Sequence, residues 1–305
     1  MRRILDDSIY SITLASLAAL SIMTAACDDI DEDDRIVSGP TETHIVAPDT
    51  LTITYSGETF TCIDEHRLLI EDFTGWNCVN CPDMADYLTS QITSTYPSTL
   101  VSLHMTGNSF SAKHPNGYNC ASADSIANWI GGSTIATQLG LPVVCIDNVT
   151  YSGNTFNSNT DALSLLAFNR IYDCNIAKTE PQANIGISIT GTGNDTYSIS
   201  TLVSYPGHTR CNLKLWLIED GLVSYIQNSK SGYITNYTNH GILRQVINGS
   251  YEGQGVQLDS DGMALVHTTL HTAGTTYVPG NCSVVAIVCD EGDVTVINCA
   301  QQRLE

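Results

Sequence analysis

Between residues 67 and 174 the apolar positions switch repeatedly between two periods. RLLIEDF (67–73) is close to a continuous apolar run and reads as a buried strand. CPDMADYLTSQITSTY (81–96) sets Cys81, Met84 or Ala85, Leu88 and Ile92 on one helical face, and Pro97 stops it. TLVSLHM (99–105) and LPVVCID (141–147) read as a second and a third buried strand. Between them, GNSFSAKHPNGYN (107–119) is a loop and CASADSIANWIGGSTIATQLG (120–140) a helix broken or kinked at Gly131–Gly132. TDALSLLAFNRIYD (160–173) supplies a last helix. This alternation predicts a parallel-containing sheet with helices on its faces.

Beyond Glu180–Pro181 the pattern changes. ANIGISIT, TYSISTLVSY, CNLKLWLIED, GMALVHTTL, CSVVAIVCD and DVTVINCAQQ are short alternating or apolar runs separated by Gly, Asn, Asp and Pro. Six or seven strands over this length predict an all-β sandwich. GTGNDT (191–196) reads as a hairpin turn and CDEGDV (289–294) as the turn of the final hairpin. NHGILRQVINGSYEG (239–253) is read as a structural turn in which Arg244 pairs with an acid, with a binding stretch as the alternative.

The first residues follow neither pattern. A basic start (Arg2, Arg3), an apolar stretch over 9–23 and small residues before Cys27 form a secretory signal, too short for a typical membrane span. The ending TAAC is similar to a lipoprotein cleavage box, which would make Cys27 the lipidated first residue of the mature chain; plain secretion is the alternative. Six acids in the seven residues after Cys27 cannot pack and read as a solvated tether. The expected segments are therefore a signal peptide (1–26), an acidic tether (27–49), an α/β domain (50–180) and a β-sandwich (181–305).

Charge narrows the function. With 32 acids against 12 bases and a net charge of −20, the chain would be repelled by nucleic acid. Eleven cysteines is a high count. With Cys27 set aside, an even number remains, which in an exported chain points to disulfides. Eight of these, outside Cys78–Cys81, allow 105 pairings, and sequence cannot choose among them.

The motif with chemistry is Cys78-Val79-Asn80-Cys81, at the junction of a strand and a helix. Three readings are open: a redox pair, a structural disulfide and half of a metal site. The junction favours redox, because unsatisfied N–H groups at a helix start stabilise a nearby thiolate, and the thiolate attacks. Cys78 is expected at or before the first turn and accessible, with Cys81 pointing inward as the resolving thiol. A zinc site would want a second such pair or two spaced histidines. Neither His104 nor His114 shows ligand spacing. Cys120 is read as half of a structural bridge, with a second redox partner as the alternative. Trp76 either docks a partner or packs on the sheet edge.

Residues 67 to about 174 resemble a thioredoxin-like domain. Asp72, six residues before Cys78 and followed by Phe73, matches the buried acid that assists proton transfer in that family; the alternative is an edge acid reaching solvent. Leu141–Pro142, 61 residues after Cys81, resembles the family's cis-proline loop. Departures are Trp76 set one residue further from the cysteine, Val79–Asn80 between the cysteines, and Asp83 and Asp86 close behind. Together, the lipoprotein-like start, EDFTGWNCVNCP (71–82) and NHGILRQVINGSYEGQ (239–254) resemble the Omp-twenty-eight-related outer-membrane protein family. That resemblance implies a thioredoxin-like domain followed by an immunoglobulin-like sandwich, at the outer membrane.

The expected function is thiol–disulfide exchange in the cell envelope. Cys78 attacks a substrate disulfide, Cys81 resolves the mixed disulfide, Asp72 moves the proton and Pro142 shapes the substrate groove. No cofactor is needed. The expected partners are envelope proteins bearing thiols or disulfides, and the membrane through lipid on Cys27. The rival expectation is a surface binding or adhesion lipoprotein that keeps the fold as a scaffold.

Overall fold

The computed structural model describes residues 50–106, 118–131, 140–148, 160–176, 183–292 and 294–304. Cys27, His114, the tether and the long loop before Tyr118 lie outside the described residues. Within Ile45–Glu305 the chain forms one unit, built on strands.

The first region has three buried strands, β3 (Leu68–Thr74), β4 (Ser98–His104) and β5 (Val143–Ile146). β4 lies parallel to β3, and β5 antiparallel. The helices are α1 (Cys81–Tyr87), which continues as a π-helical turn over Leu88–Ile92, α2 (Ala121–Gly131) and α3 (Thr160–Ile176). Cys81, Met84, Leu88 and Ile92 share the buried face of α1 and its π turn, as the periodicity predicts.

Two strands precede this region, β1 (Thr50–Tyr55) and β2 (Glu58–Ile63). On sequence these residues go with the α/β part. They form a hairpin instead, and β2 pairs with β6 (Asn184–Gly193), a strand of the later part. Gly186 makes the approach possible, since a Cβ there would lie 2.6 Å from the Cβ of Phe60.

The later part continues with β7 (Thr196–Ser204), β8 (Arg210–Glu219), β9 (Leu222–Ser229), β10 (Gly232–Asn239), β11 (Ile242–Val246), β12 (Gln254–Gln257), β13 (Met263–His271), β14 (Cys282–Cys289) and β15 (Val296–Arg303). These are ten strands with β6, rather than six or seven. The turn between β6 and β7 holds Asn194 and Asp195 at positive φ, the backbone that a tight hairpin demands.

Among the described residues two large sheets are accompanied by a separate two-stranded one, β9 with β10. One has the order β1-β2-β6-β7-β13. The other runs β15-β14-β8-β11-β4-β3-β5, with β12 added on β8, so it crosses the change of character at residue 180 without a break. The seam is β11 beside β4, where Ser102 N–H donates to Gly241 O at 2.8 Å. Gly241 has φ +60, and a Cβ there would meet Leu100 O at 2.4 Å.

The longer sheet buries both faces, which explains the near-continuous apolar runs of β3, β8 and β14. Leu213, Leu215, Leu217, Val284 and Ala286 pack against Ile185, Ile199 and Val203 of the other sheet, forming the sandwich core. Trp216, Ile218, Val285 and Ile287 face the opposite way, joining Leu69, Phe73, Val101 and the α2 residues Ala123 and Ile126. Leu68 and Ile70 pack with Met84, Leu88 and Leu166 under α1 and α3.

Asp147, fully buried at the end of β5, ties this first region together. Its carboxylate accepts from Leu69 N–H at 2.8 Å and Arg170 Nε at 3.2 Å, and its Oδ2 lies 2.8 Å from His66 Nε2.

Candidate functional site

Strand β3 ends at Thr74, and the chain turns through Gly75, Trp76 and Asn77 before α1 begins. Cys78 N–H donates to Gly75 O at 3.1 Å, closing that turn. Cys78 and Cys81 are joined as a disulfide, with Cα atoms 5.4 Å apart. Cys81 is the first residue of α1, and Pro82 follows where no helical N–H is needed. Both cysteines are 1% exposed, while Val79 between them is 38% exposed. The expectation of an accessible Cys78 is corrected by this burial. Both sulfurs pack in the apolar cluster that holds Leu69, Phe73, Leu103 and Leu141, and the β9–β10 hairpin hydrogen-bonds to the motif's main chain.

That hairpin touches the motif through polar groups. Asn228 N–H donates to Trp76 O at 2.8 Å. The Gln227 amide donates to Gly75 O at 3.2 Å and to Cys78 O at 3.3 Å. Asn228 also donates from its side chain to Asn77 Oδ1 at 3.2 Å. Lys230 pairs with Asp83 at 2.6 Å, and Tyr118 OH donates to Val223 O at 2.9 Å.

Asp72 is buried, so it is not an edge acid reaching solvent. It lines one pocket together with Cys81, Ser102, His104, Gln227 and Tyr237. Burial alone pushes its carboxyl up to about 7. Glu71, on the other face of β3, is also buried, and burial pushes it up to about 8, opposed by the charge of Lys214. Lys214 is itself buried, with Nζ 4.1 Å from the centre of the Trp129 ring. The Tyr237 hydroxyl is raised first by burial and then by the charges of Asp86, Asp72 and Asp83.

Leu141–Pro142 is a cis peptide, as the sequence reading expects. Leu141 belongs to the same apolar cluster as Cys78 and Cys81. Trp76 is half-buried and gives its carbonyl to the hairpin. Arg244 does pair with an acid, Glu219, at 3.2 Å, and its guanidinium lies over the Tyr277 ring.

The disulfide expectation is corrected for seven of the remaining eight cysteines, the side chain of Cys174 lying outside the described residues. Cys62, Cys120, Cys145, Cys211, Cys282, Cys289 and Cys299 are free thiols. All but Cys120 are fully buried and serve as small apolar side chains distributed among separate cores. Burial pushes their thiols up, to about 11 for Cys62 and Cys289 and about 12 for Cys211, Cys282 and Cys299. Cys120 forms no bridge either. Among the described residues no three His, Cys, Asp or Glu side chains gather as a metal site would require. Sequence reasoning missed Gln227 as a neighbour of the site, and the buried Lys214 near Glu71 on the other face of β3. Only the adjacent Glu71–Asp72 inside an apolar run carried a local signal.

Comparison with known proteins gives three results. The family model described as "Outer membrane protein Omp28" matches residues 140–305, which leaves Cys78–Cys81 outside the match. No curated protein matches the chain. Among solved structures, HBP35 of Porphyromonas gingivalis is similar at 14% identity and a TM-score of 0.61, over 79% of this chain and 76% of that one. A domain of the outer membrane lipoprotein Omp28 from the same organism aligns at 19% identity and a TM-score of 0.28, over 41% of this chain and 89% of that one.

Proposed function

The chain belongs to the Omp28 family of outer membrane proteins, and from that premise we propose that it carries out thiol–disulfide exchange at the outer membrane through Cys78 and Cys81. In this reading residues 67–174 form a thioredoxin-like half, the later strands an immunoglobulin-like sandwich, and lipid on Cys27 anchors the protein.

The observation that carries the reading is that Asp72 and Cys81 line one pocket. A carboxyl raised to about 7 takes and returns a proton near neutral pH, which one at its ordinary value does poorly. Starting from the reduced pair, the Cys78 thiolate attacks one sulfur of a substrate disulfide and the other leaves as a thiolate. Asp72 accepts the Cys81 proton. The Cys81 thiolate then attacks Cys78 Sγ, the mixed disulfide breaks, and the second substrate thiolate departs. Two electrons pass to the substrate, the pair ends as the disulfide, and Asp72 returns its proton to the solvent or the product. Pro142, next to Leu141 in the apolar cluster around the pair, shapes the groove.

Burial of both sulfurs favours the rival, a scaffold with a permanent staple. Trapping separates the two. Cys81→Ala in the full chain, expressed in its envelope, is expected to accumulate mixed disulfides with other proteins that a thiol releases. Adding Cys78→Ser is expected to abolish them. If Cys81→Ala yields no such adducts, the exchange reading fails.

A further inference from the structure

We propose that the β9–β10 hairpin is a displaceable strap over the Cys78–Cys81 site, lifted when an extended polypeptide takes its place. The proposal rests on the exchange reading above and adds how that site is opened.

Three features separate the hairpin from the fold around it. First, β9 and β10 pair only with each other and belong to neither large sheet. They leave the longer sheet after β8 and return to it at β11, so the hairpin can move while its roots stay paired. Second, among its side chains that are described, Tyr225 not being one of them, the buried ones are Ser224, Gln227, Ser229 and Asn239, all of them polar. Leu222, Ile226, Ile234 and Tyr237 are only part-buried, and Val223 and Tyr233 are exposed. Elements that bury little apolar surface open at lower free energy than core strands. Third, its grip is made of replaceable contacts. The Lys230–Asp83 pair is exposed on both sides, and exposed pairs hold weakly.

The hairpin's hold on the motif also indicates what displaces it. The acceptors it occupies are the main-chain carbonyls of Gly75, Trp76 and Cys78, and at Trp76 the donor is a backbone N–H. An extended chain presents such N–H donors at strand spacing, as in the addition of a peptide to an unpaired backbone edge. The side chains of Tyr237 and Asn239 wall the pocket that holds Asp72, so lifting the strap uncovers the acid together with the sulfurs.

The test compares reduction of the oxidised full chain by dithiothreitol with that of Gln227→Ala/Lys230→Ala, reading the pair by alkylation and mass. The variant is expected to be reduced at least about tenfold faster, because its open form is more populated. Equal rates in a folded variant overturn the strap. Should the variant not fold, amide exchange of the unaltered protein decides. Amides of 222–239 are expected to exchange at least about tenfold faster than those of β8 and β14. Exchange at the same rate as those core strands overturns the proposal. The reduction potential is an equilibrium quantity, so a failure of the exchange reading appears there, while a failure of the strap appears in these rates.

Discussion

The two ends of the longer sheet are built differently. At the sandwich end, the face toward the second sheet is lined by Leu213, Leu215, Leu217, Val284, Ala286 and Val288, and the buried Glu219 that ends β8 is paired with Arg244. At the other end, β3 alone buries Glu71 and Asp72, β5 runs into buried Asp147, and His104 closes β4. Burying an ionisable group costs free energy that its partners only partly return, whereas an apolar face gains it. The sandwich end is therefore arranged for stability. The α1 end accepts a cost, and Asp72 does so in one pocket with Cys81. Perturbed acids gathered around a reactive group are the usual mark of a functional site.

Removing Asp147 should have the largest effect. Asp147→Ala leaves His66, Arg170 and Leu69 N–H without their acceptor, and it is expected to cost about 3–5 kcal/mol in urea unfolding. Leu215→Ala at the sandwich end is expected to cost about 2–5 kcal/mol by leaving a cavity. The decisive contrast is in coupling. Asp147→Ala and Arg170→Ala should be non-additive because they remove the same contact, whereas Asp147→Ala and Leu215→Ala should add, and additivity in both would erase the distinction between the two ends.

Asp72→Asn should have a smaller effect of opposite sign. The folded carboxyl is raised above its unfolded value by burial, so the folded chain holds a proton that the unfolded chain has lost. Its contribution is fully present below about pH 4 and is lost as pH rises toward about 7. Asp72→Asn is expected to be neutral near pH 4 and to stabilise by on the order of 1–2 kcal/mol at pH 8. Denaturation across this range checks it, and a pH-independent difference would place the acid in contact with water.

The same contrast explains what the chain discloses on reading. β3, β4 and β5 are legible because strands buried on both faces are continuous apolar runs, and α1 because Cys81, Leu88 and Ile92 recur at helical spacing. Arg244 was legible as the partner of an acid from its charge in an apolar stretch, although the acid itself, Glu219, comes from the neighbouring strand β8. The hairpin was not. GYITNYTN shows no apolar face, since β10 is exposed along most of its length. The reach of Gln227 to Cys78 spans 149 residues, and no spacing rule reports it. Lys214 looks like the outward member of an alternating strand until Trp129 is seen over its amine. The β1–β2 hairpin shows its destination only in its pairing with β6. The cysteine count misled for a physical reason: a free cysteine is a good small core residue, and counting cannot separate that use from pairing.

The reduction potential of Cys78–Cys81 tests the central claim most directly. The full chain would be equilibrated in thiol–disulfide buffers and the pair read by mass after alkylation. A pair placed for exchange is expected between about −270 and −120 mV, the range of proteins that trade disulfides. A value below about −300 mV marks a permanent staple and contradicts the account.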